Sequence, residues 1–156
     1  MPTLREQIET ALPADEAFDF VADFANSMVW DPGVAASVRL DEGPLQVGAR
    51  YRLSVRLGRR VAPMEYTITE LDAPRRVVLA GSGSGVEAVD DIRFAATPTG
   101  TLIDYTADIR LVGLLRLLQP FLGGAFAEVG RKAASGMRRA LSEMEAERVS
   151  ASPGQE

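Results

Sequence analysis

Two residue types are missing from this 156-residue chain, cysteine and histidine. Without cysteine the chain can form neither a disulfide nor a thiolate metal site. Without histidine it lacks the commonest general base and the commonest metal ligand, so Ser-His-Asp and Cys-His mechanisms are excluded. A zinc site could use only carboxylates, which is unusual for zinc. The sequence therefore predicts no metal and no cofactor.

Lysine is nearly absent too, since Lys132 is the only lysine among 17 basic residues. The formal net charge of −5 argues against bulk nucleic-acid binding. The N-terminal sequence MPTLREQIET has no apolar run after a basic region, which is unlike a signal peptide. No uninterrupted apolar stretch is long enough to span a membrane. These features predict a cytoplasmic protein with no nucleic-acid partner.

The rest of the composition is typical of a globular protein, with 46% hydrophobic and 25% charged residues. The length corresponds to one domain, and neither a repeat nor a linker interrupts the chain. We expect residues 1–148 to form this single domain. Residues 149–156 are expected to be a flexible C-terminal tail.

Turn residues divide most of the chain into short strand-like runs. A first strand over residues 3–11 precedes a helical signal that begins at Pro13 and ends at the turn Trp30-Asp31-Pro32-Gly33. The string GSGSG at 81–85 indicates a flexible turn, since it lacks the Lys-Ser/Thr ending of a phosphate loop. The later runs predict an antiparallel meander: 34–40, 49–57, 61–71, 76–80, 86–95 and 101–111.

Alternation along these strands assigns one apolar face and one charged face, so the sheet should be covered on one side only. Five residues of interest fall on the inward face: Tyr51, Met64, Tyr66, Asp90 and Tyr105. An inward acid and two inward phenols could anchor the polar end of a ligand, or they could satisfy only each other. A one-residue bulge would turn Asp91 inward in place of Asp90.

The window 43–64 contains arginines and no acid, which could make a surface for anionic lipid or RNA. A solvated outer face paired with acids of neighbouring strands is favoured, because the whole chain is acidic. The arginines are Arg50, Arg52, Arg56, Arg59 and Arg60.

An apolar stripe at three- and four-residue steps predicts a long C-terminal helix, from near Pro120 to about Glu147. The stripe consists of Phe126, Val129, Ala133, Met137, Leu141 and Met144. Glycines lie within or beside this helix, and each costs about 0.5–1 kcal/mol relative to alanine. They provide either close helix–sheet contact or room for a ligand: Gly123, Gly124, Gly130 and Gly136.

Five segments, in this order, resemble a known superfamily: PADEAFDFVADFANSMVWDPGV, VGARYRL, YTITELDAPRRVVLAG, DIRFAATPTGTLIDYTADIRL and LLRLLQPFLGGAF. Together they cover about Leu4 to Met144. The chain resembles the START-like superfamily, also called SRPBCC, in its polyketide cyclase/dehydrase and lipid-transport branch. The resemblance is specific for fold and says little about chemistry.

The resemblance implies an α+β helix-grip fold, with a curved antiparallel sheet of about seven strands wrapped around the long C-terminal helix and an internal cavity. It places Trp30 near the cavity mouth and makes the segment 111–126 a border of the cavity. That segment could be a lid, a membrane-touching patch, a dimer contact or core. The predicted ligand-binding residues are Trp30, Tyr51, Met64, Tyr66, Asp90, Tyr105, Phe126 and Met137.

Two main functions remain open. The first is binding or transport of a small hydrophobic ligand such as a lipid, an isoprenoid or a polyketide-like molecule. The alternative is an enzyme of the polyketide cyclase/dehydratase type, which would use Asp90 and the cavity tyrosines as acid and base. An interaction module is a third class. The partner is expected to be a small hydrophobic ligand, with transient membrane contact, and the protein to be a monomer or a homodimer.

Overall fold

The computed structural model describes residues 3–151. The strands are β1 (Thr3–Thr10), β2 (Val34–Arg39), β3 (Arg50–Leu57), β4 (Arg60–Asp72), β5 (Arg76–Gly83), β6 (Val86–Thr97) and β7 (Gly100–Leu111). The α-helices are α1 (Ala14–Val21), α2 (Ser27–Trp30) and α3 (Gly123–Ala151). Two 3₁₀ helices cover Phe24–Asn26 and Gly113–Phe121, and the second is called the leucine-rich helix below.

The strands form one antiparallel sheet in the order β1-β7-β6-β5-β4-β3-β2. Strands β2 to β7 follow one another as the predicted meander. The first strand pairs with the last one, so that Glu6 lies opposite Tyr105. The sheet curls around the long C-terminal helix, and the predicted helix-grip fold of seven strands is confirmed.

The GSGSG string behaves differently from the prediction. Strand β5 continues to Gly83, so only the end of the string forms a turn. Ser84 and Gly85 have φ angles of 55° and 78°, which is the left-handed region that a tight turn uses. The predicted flexible turn is therefore mostly strand.

Helix α3 begins at Gly123. Pro120, near which the helix was expected to begin, lies in the leucine-rich helix that precedes it. The N–H of Phe126 donates to the Leu122 carbonyl at 3.0 Å, which opens the α-helical hydrogen bonding. The helix continues through Ala151, so residues 149–151 of the predicted tail are helical, and 152–156 lie outside the described residues. Within the described range, no helix has both the length and the apolarity that crossing a membrane requires.

The apolar stripe of α3 has two parts that differ in burial. Its middle part is buried in the core, with Met137 and Leu141 almost fully inaccessible. Its N-terminal part is more open, and Val129 remains 47% exposed. Polar contacts hold the buried part: Arg138 donates to the Gln7 carbonyl at 2.8 Å, and Glu145 Oε1 accepts from Thr10 Oγ1 at 2.6 Å.

Gly136 is where α3 meets α2. A Cβ at this position would lie 2.1 Å from the Trp30 carbonyl oxygen and 3.0 Å from Pro32 Cδ. No side chain fits in that space without movement of backbone. At Gly136, close contact is the reason for a glycine in the helix, whereas Gly123 and Gly124 face open space.

We expect Gly136→Ala to lower the free energy of unfolding by about 1–3 kcal/mol, because the new methyl group forces α3 away from Trp30. Gly124→Ala is the matched control on the same helix, and it should leave stability unchanged or slightly raised. Chemical denaturation followed by circular dichroism measures both. Equal stability of the two variants would contradict the close contact.

Candidate functional site

A cavity of about 340 Å³ lies between the concave face of the sheet, helix α2, the leucine-rich helix and the N-terminal half of α3. Most of its wall is apolar. Aliphatic side chains of the sheet, of the leucine-rich helix and of the residue that follows this helix make much of it: Leu4, Ile8, Leu53, Val55, Val86, Ile109, Leu111, Leu115, Leu118 and Leu122.

Alternation along the strands positions the functional side chains in this wall. Met64 and Tyr66 come from β4, Asp90 from β6, and Tyr105 from β7. No bulge interrupts the register between β6 and β7, so Asp90 points inward and Asp91 outward. The predicted inward face is confirmed for these strands.

Asp90 is the deepest charged group of the cavity, with only 6% of its surface exposed. The hydroxyl of Tyr105 donates to Asp90 Oδ2 at 2.8 Å. Burial raises the pKa of Asp90 to about 7, an effect that the Tyr105 hydrogen bond opposes and the charge of Asp31 adds to. Burial also raises the pKa of the Tyr66 and Tyr105 phenols, and the Asp90 charge raises it further.

Asp31 is another acid of the cavity wall, and sequence reasoning missed it because the sequence around it indicates only a turn. It directly follows α2, and its Oδ1 accepts from the Gly33 N–H at 2.8 Å. Burial raises the pKa of Asp31, and this hydrogen bond partly offsets the effect. Its position next to the candidate cavity residue Trp30 was the available signal.

Aromatic rings form another part of the cavity wall. The Trp30 and Tyr105 rings pack edge to face with centroids 6.0 Å apart, and the Phe24 and Tyr66 rings lie 5.4 Å apart. Gly81 leaves room for the Tyr66 ring, because a Cβ there would lie 2.5 Å from ring carbons. Trp30 Nε1 is buried and has no hydrogen-bond partner among the described residues.

The family of the chain follows from its sequence. Residues 1–147 match the family model described as polyketide cyclase / dehydrase and lipid transport. The chain belongs to this family. The predicted superfamily is thereby confirmed. Among curated proteins, none has a sequence that matches the chain significantly.

Solved structures share the fold of this family member. The Zhui aromatase/cyclase from Streptomyces sp. R1128 is 17% identical and superposes with a TM-score of 0.76, covering 97% of this chain and 98% of that one. A START superfamily protein from Mycobacterium smegmatis is 14% identical with a TM-score of 0.76, covering 91% of this chain and 98% of that one. At these identities the likeness shows the fold alone.

The structure brings six of the eight predicted ligand-binding residues to the cavity wall: Trp30, Met64, Tyr66, Asp90, Tyr105 and Phe126. It places the other two elsewhere in the core. Tyr51 is fully buried beside Phe24, with ring centroids 6.3 Å apart. Met137 is fully buried where α3 touches the core. Inward direction alone does not distinguish a cavity residue from a core residue.

The leucine-rich helix forms part of the cavity wall. Leu115 and Leu118 line the cavity, whereas Leu114 and Phe121 are 88% and 82% exposed. Backbone contact anchors this segment, because the Val112 N–H donates to the Gly85 carbonyl at 2.9 Å. The segment 111–126 therefore borders the cavity, as the resemblance implied, and none of the residues 113–121 is buried in the core.

The buried Asp90 predicts an unusual pH dependence of stability. Because its pKa is higher in the folded protein than in the unfolded chain, the folded state binds more protons between the two values. Stability should therefore fall by about 2–3 kcal/mol from pH 5 to pH 8. With no histidine in the chain, few other groups titrate in this window.

Asp90→Asn should flatten this pH dependence, measured as unfolding free energy at pH 5 and pH 8. Asp91→Asn is the matched control. Hydrogen bonds from Arg76, both 3.0 Å long, lower the pKa of the Asp91 carboxyl, so it does not titrate in this range. The control should keep the parent slope. An unchanged pH dependence in Asp90→Asn would contradict the burial argument. Asp31, whose pKa burial also raises, would then be the next residue to test.

Proposed function

We propose that this family member binds or transports a small hydrophobic molecule, such as a lipid, an isoprenoid or a polyketide-like compound, in its cavity. The observation that carries the proposal is the apolar cavity of about 340 Å³ under α3. Ligand pockets commonly measure about 300–1,000 Å³. Apolar burial contributes about 25 cal/mol per Å² of surface removed from water, so such a wall supplies affinity without specific polar contacts.

A second candidate function, a cyclase or dehydratase, is favoured by the Asp90–Tyr105 pair. A carboxyl group with a pKa of about 7 can donate a proton at neutral pH and take one back. The pair lies in the cavity wall, where a bound substrate would contact it. The Streptomyces neighbour is by name an aromatase/cyclase.

Filling the cavity tests the binding function. Ala133 lines the cavity, so Ala133→Phe should weaken binding of the neutral fluorescent probe N-phenyl-1-naphthylamine by about tenfold or more. Gly124→Leu adds a comparable side chain where no atom lies within 4 Å, and it should leave the affinity unchanged. Fluorescence titration measures both, and circular dichroism checks folding. Equal affinities would overturn the cavity as the binding site.

Probe affinity and turnover of polyketide-like substrates, both measured for Asp90→Asn, distinguish a carrier from an enzyme. In a carrier, Asp90→Asn costs only the free energy of one hydrogen bond, about 0.5–1.5 kcal/mol of probe affinity. In an enzyme, losing a general acid or base lowers the rate by about 10²–10⁴-fold while binding persists. If Asp90→Asn loses turnover but keeps its probe affinity, the carrier function is overturned in favour of the cyclase function.

We further propose that the leucine-rich helix is the part that touches membranes during ligand exchange. Its outward side chains are apolar, with Leu114, Leu117 and Phe121 being 88%, 69% and 82% exposed. Its inward side chains line the cavity, so the same segment meets both the lipid and the ligand. The net charge of −5 disfavours anionic lipids, so neutral phosphatidylcholine is the expected surface.

Flotation with phosphatidylcholine vesicles tests this contact. The triple variant Leu114→Ser, Leu117→Ser, Phe121→Ser should lose most of its vesicle binding. A control replaces three exposed apolar residues elsewhere, Met28, Val38 and Val47, by serine and should retain it. If light scattering shows a dimer that only the first variant dissociates, the segment is a dimer contact and the membrane proposal is wrong.

A further inference from the structure

The described cavity wall contains one buried carboxyl group, Asp90, a half-buried one, Asp31, and no buried cation. Arg56 is the only basic residue in the described wall; it is exposed, and its Nε donates to the Pro32 carbonyl at 3.2 Å. Asp90 accepts a hydrogen bond from Tyr105 at Oδ2, and no described residue donates to its Oδ1. Asp90 Oδ1 is therefore a carboxyl oxygen of the cavity wall without a hydrogen-bond partner among the described residues.

Asp91, the next residue along β6, is an acid that does have a cationic partner. Asp91 points outward and accepts two hydrogen bonds from Arg76, both 3.0 Å long. Asp90, one residue earlier, has only a neutral phenol. Burying a carboxylate without a cation is costly, and the usual compensation is a positive partner. A ligand can supply the partner that the protein lacks.

The aromatic rings of the cavity wall suit the same ligand group. Phe24, Trp30, Tyr66 and Tyr105 all line the cavity. The faces of such rings attract cations electrostatically, and desolvation strengthens the attraction. An acid and several aromatic rings in one apolar cavity together favour an ammonium group attached to an apolar body over a carboxylate.

We propose that the cavity selects hydrophobic ligands that carry a protonated amine, with Asp90 as counter-ion and the rings of Trp30, Tyr66 and Tyr105 around the ammonium group. The inference rests on the proposed binding function, because it names the ligand class of the same cavity. Asp31 adds a second negative charge on the α2 side. The amine is expected to lie deep, and its apolar body toward the leucine-rich helix.

The amine should bind more tightly as the pH rises through 7, because Asp90 then ionises while an alkylamine stays protonated. The other titratable groups that face Asp90 are Asp31, Tyr66 and Tyr105, and ionisation of Asp31 acts in the same direction. Glu6 and Arg56 complete the charged part of the wall. A carboxylate ligand should show the opposite trend, and an alcohol almost none.

Three probes with the same eight-carbon chain test the inference on the full chain: octylamine, 1-octanol and octanoic acid. Isothermal titration calorimetry at pH 8.5 should give octylamine an affinity about tenfold or more above that of octanol. At pH 5.5 the preference should shrink. Asp90→Asn should reduce it to within about twofold at both pH values, because the amine loses an ion pair and the alcohol at most one hydrogen bond. Asp91→Asn is the control and should retain the full preference.

The outcomes separate this inference from the function on which it rests. If the three probes bind equally, or if octanoic acid binds best, the amine preference is overturned and the hydrophobic binding function stands. If neither octanol nor N-phenyl-1-naphthylamine binds, the binding function itself is overturned. If Asp90→Asn does not fold, the pH trend of the unmodified protein decides, since a flat trend for octylamine contradicts the role of Asp90.

Discussion

The contact between Gly136 and the Trp30 carbonyl determines how closely α3 can approach the rest of the fold. Only a hydrogen atom fits there, since a Cβ would lie 2.1 Å from the oxygen. The contact fixes the middle of the helix, so that Met137 and Leu141 pack in the core beyond it. The N-terminal half then stands over the curved sheet without filling the space below it. The cavity is that remaining space, and every functional argument depends on it.

The same contact brings the end of α2 into the site. Trp30 is held by its carbonyl against α3, and its ring packs against Tyr105 on the opposite wall. Asp31 follows immediately and lines the cavity beside it. The close approach of α2 and α3 at Gly136 therefore brings both an aromatic ring and a second acid into the cavity wall that contains Asp90.

The buried Asp90 and the half-buried Asp31 lower the stability of the fold at its cavity. On the outer face of the sheet, carboxylates such as Asp91 and Asp104 have arginine partners that lower their pKa. Inside, burial raises the pKa of Asp90 and Asp31, and no cation offsets it among the described wall residues. Uncompensated buried groups of this kind concentrate at functional sites, where they are poised for a ligand or a proton. The carrier and the enzyme interpretations both use this feature.

The sequence by itself determined most of the strands, the antiparallel meander of β2 to β7 and the inward direction of Tyr66 and Tyr105, and it left Asp90 and Asp91 as alternatives for the inward acid. Turn residues and period-two alternation are local properties, and they hold wherever a strand is regular. Only the tertiary structure decided that Asp31 joins the site while Tyr51 and Met137 belong to the core. Those positions depend on how α2 and α3 dock across the sheet, which is a contact between distant segments with no local signature in the sequence.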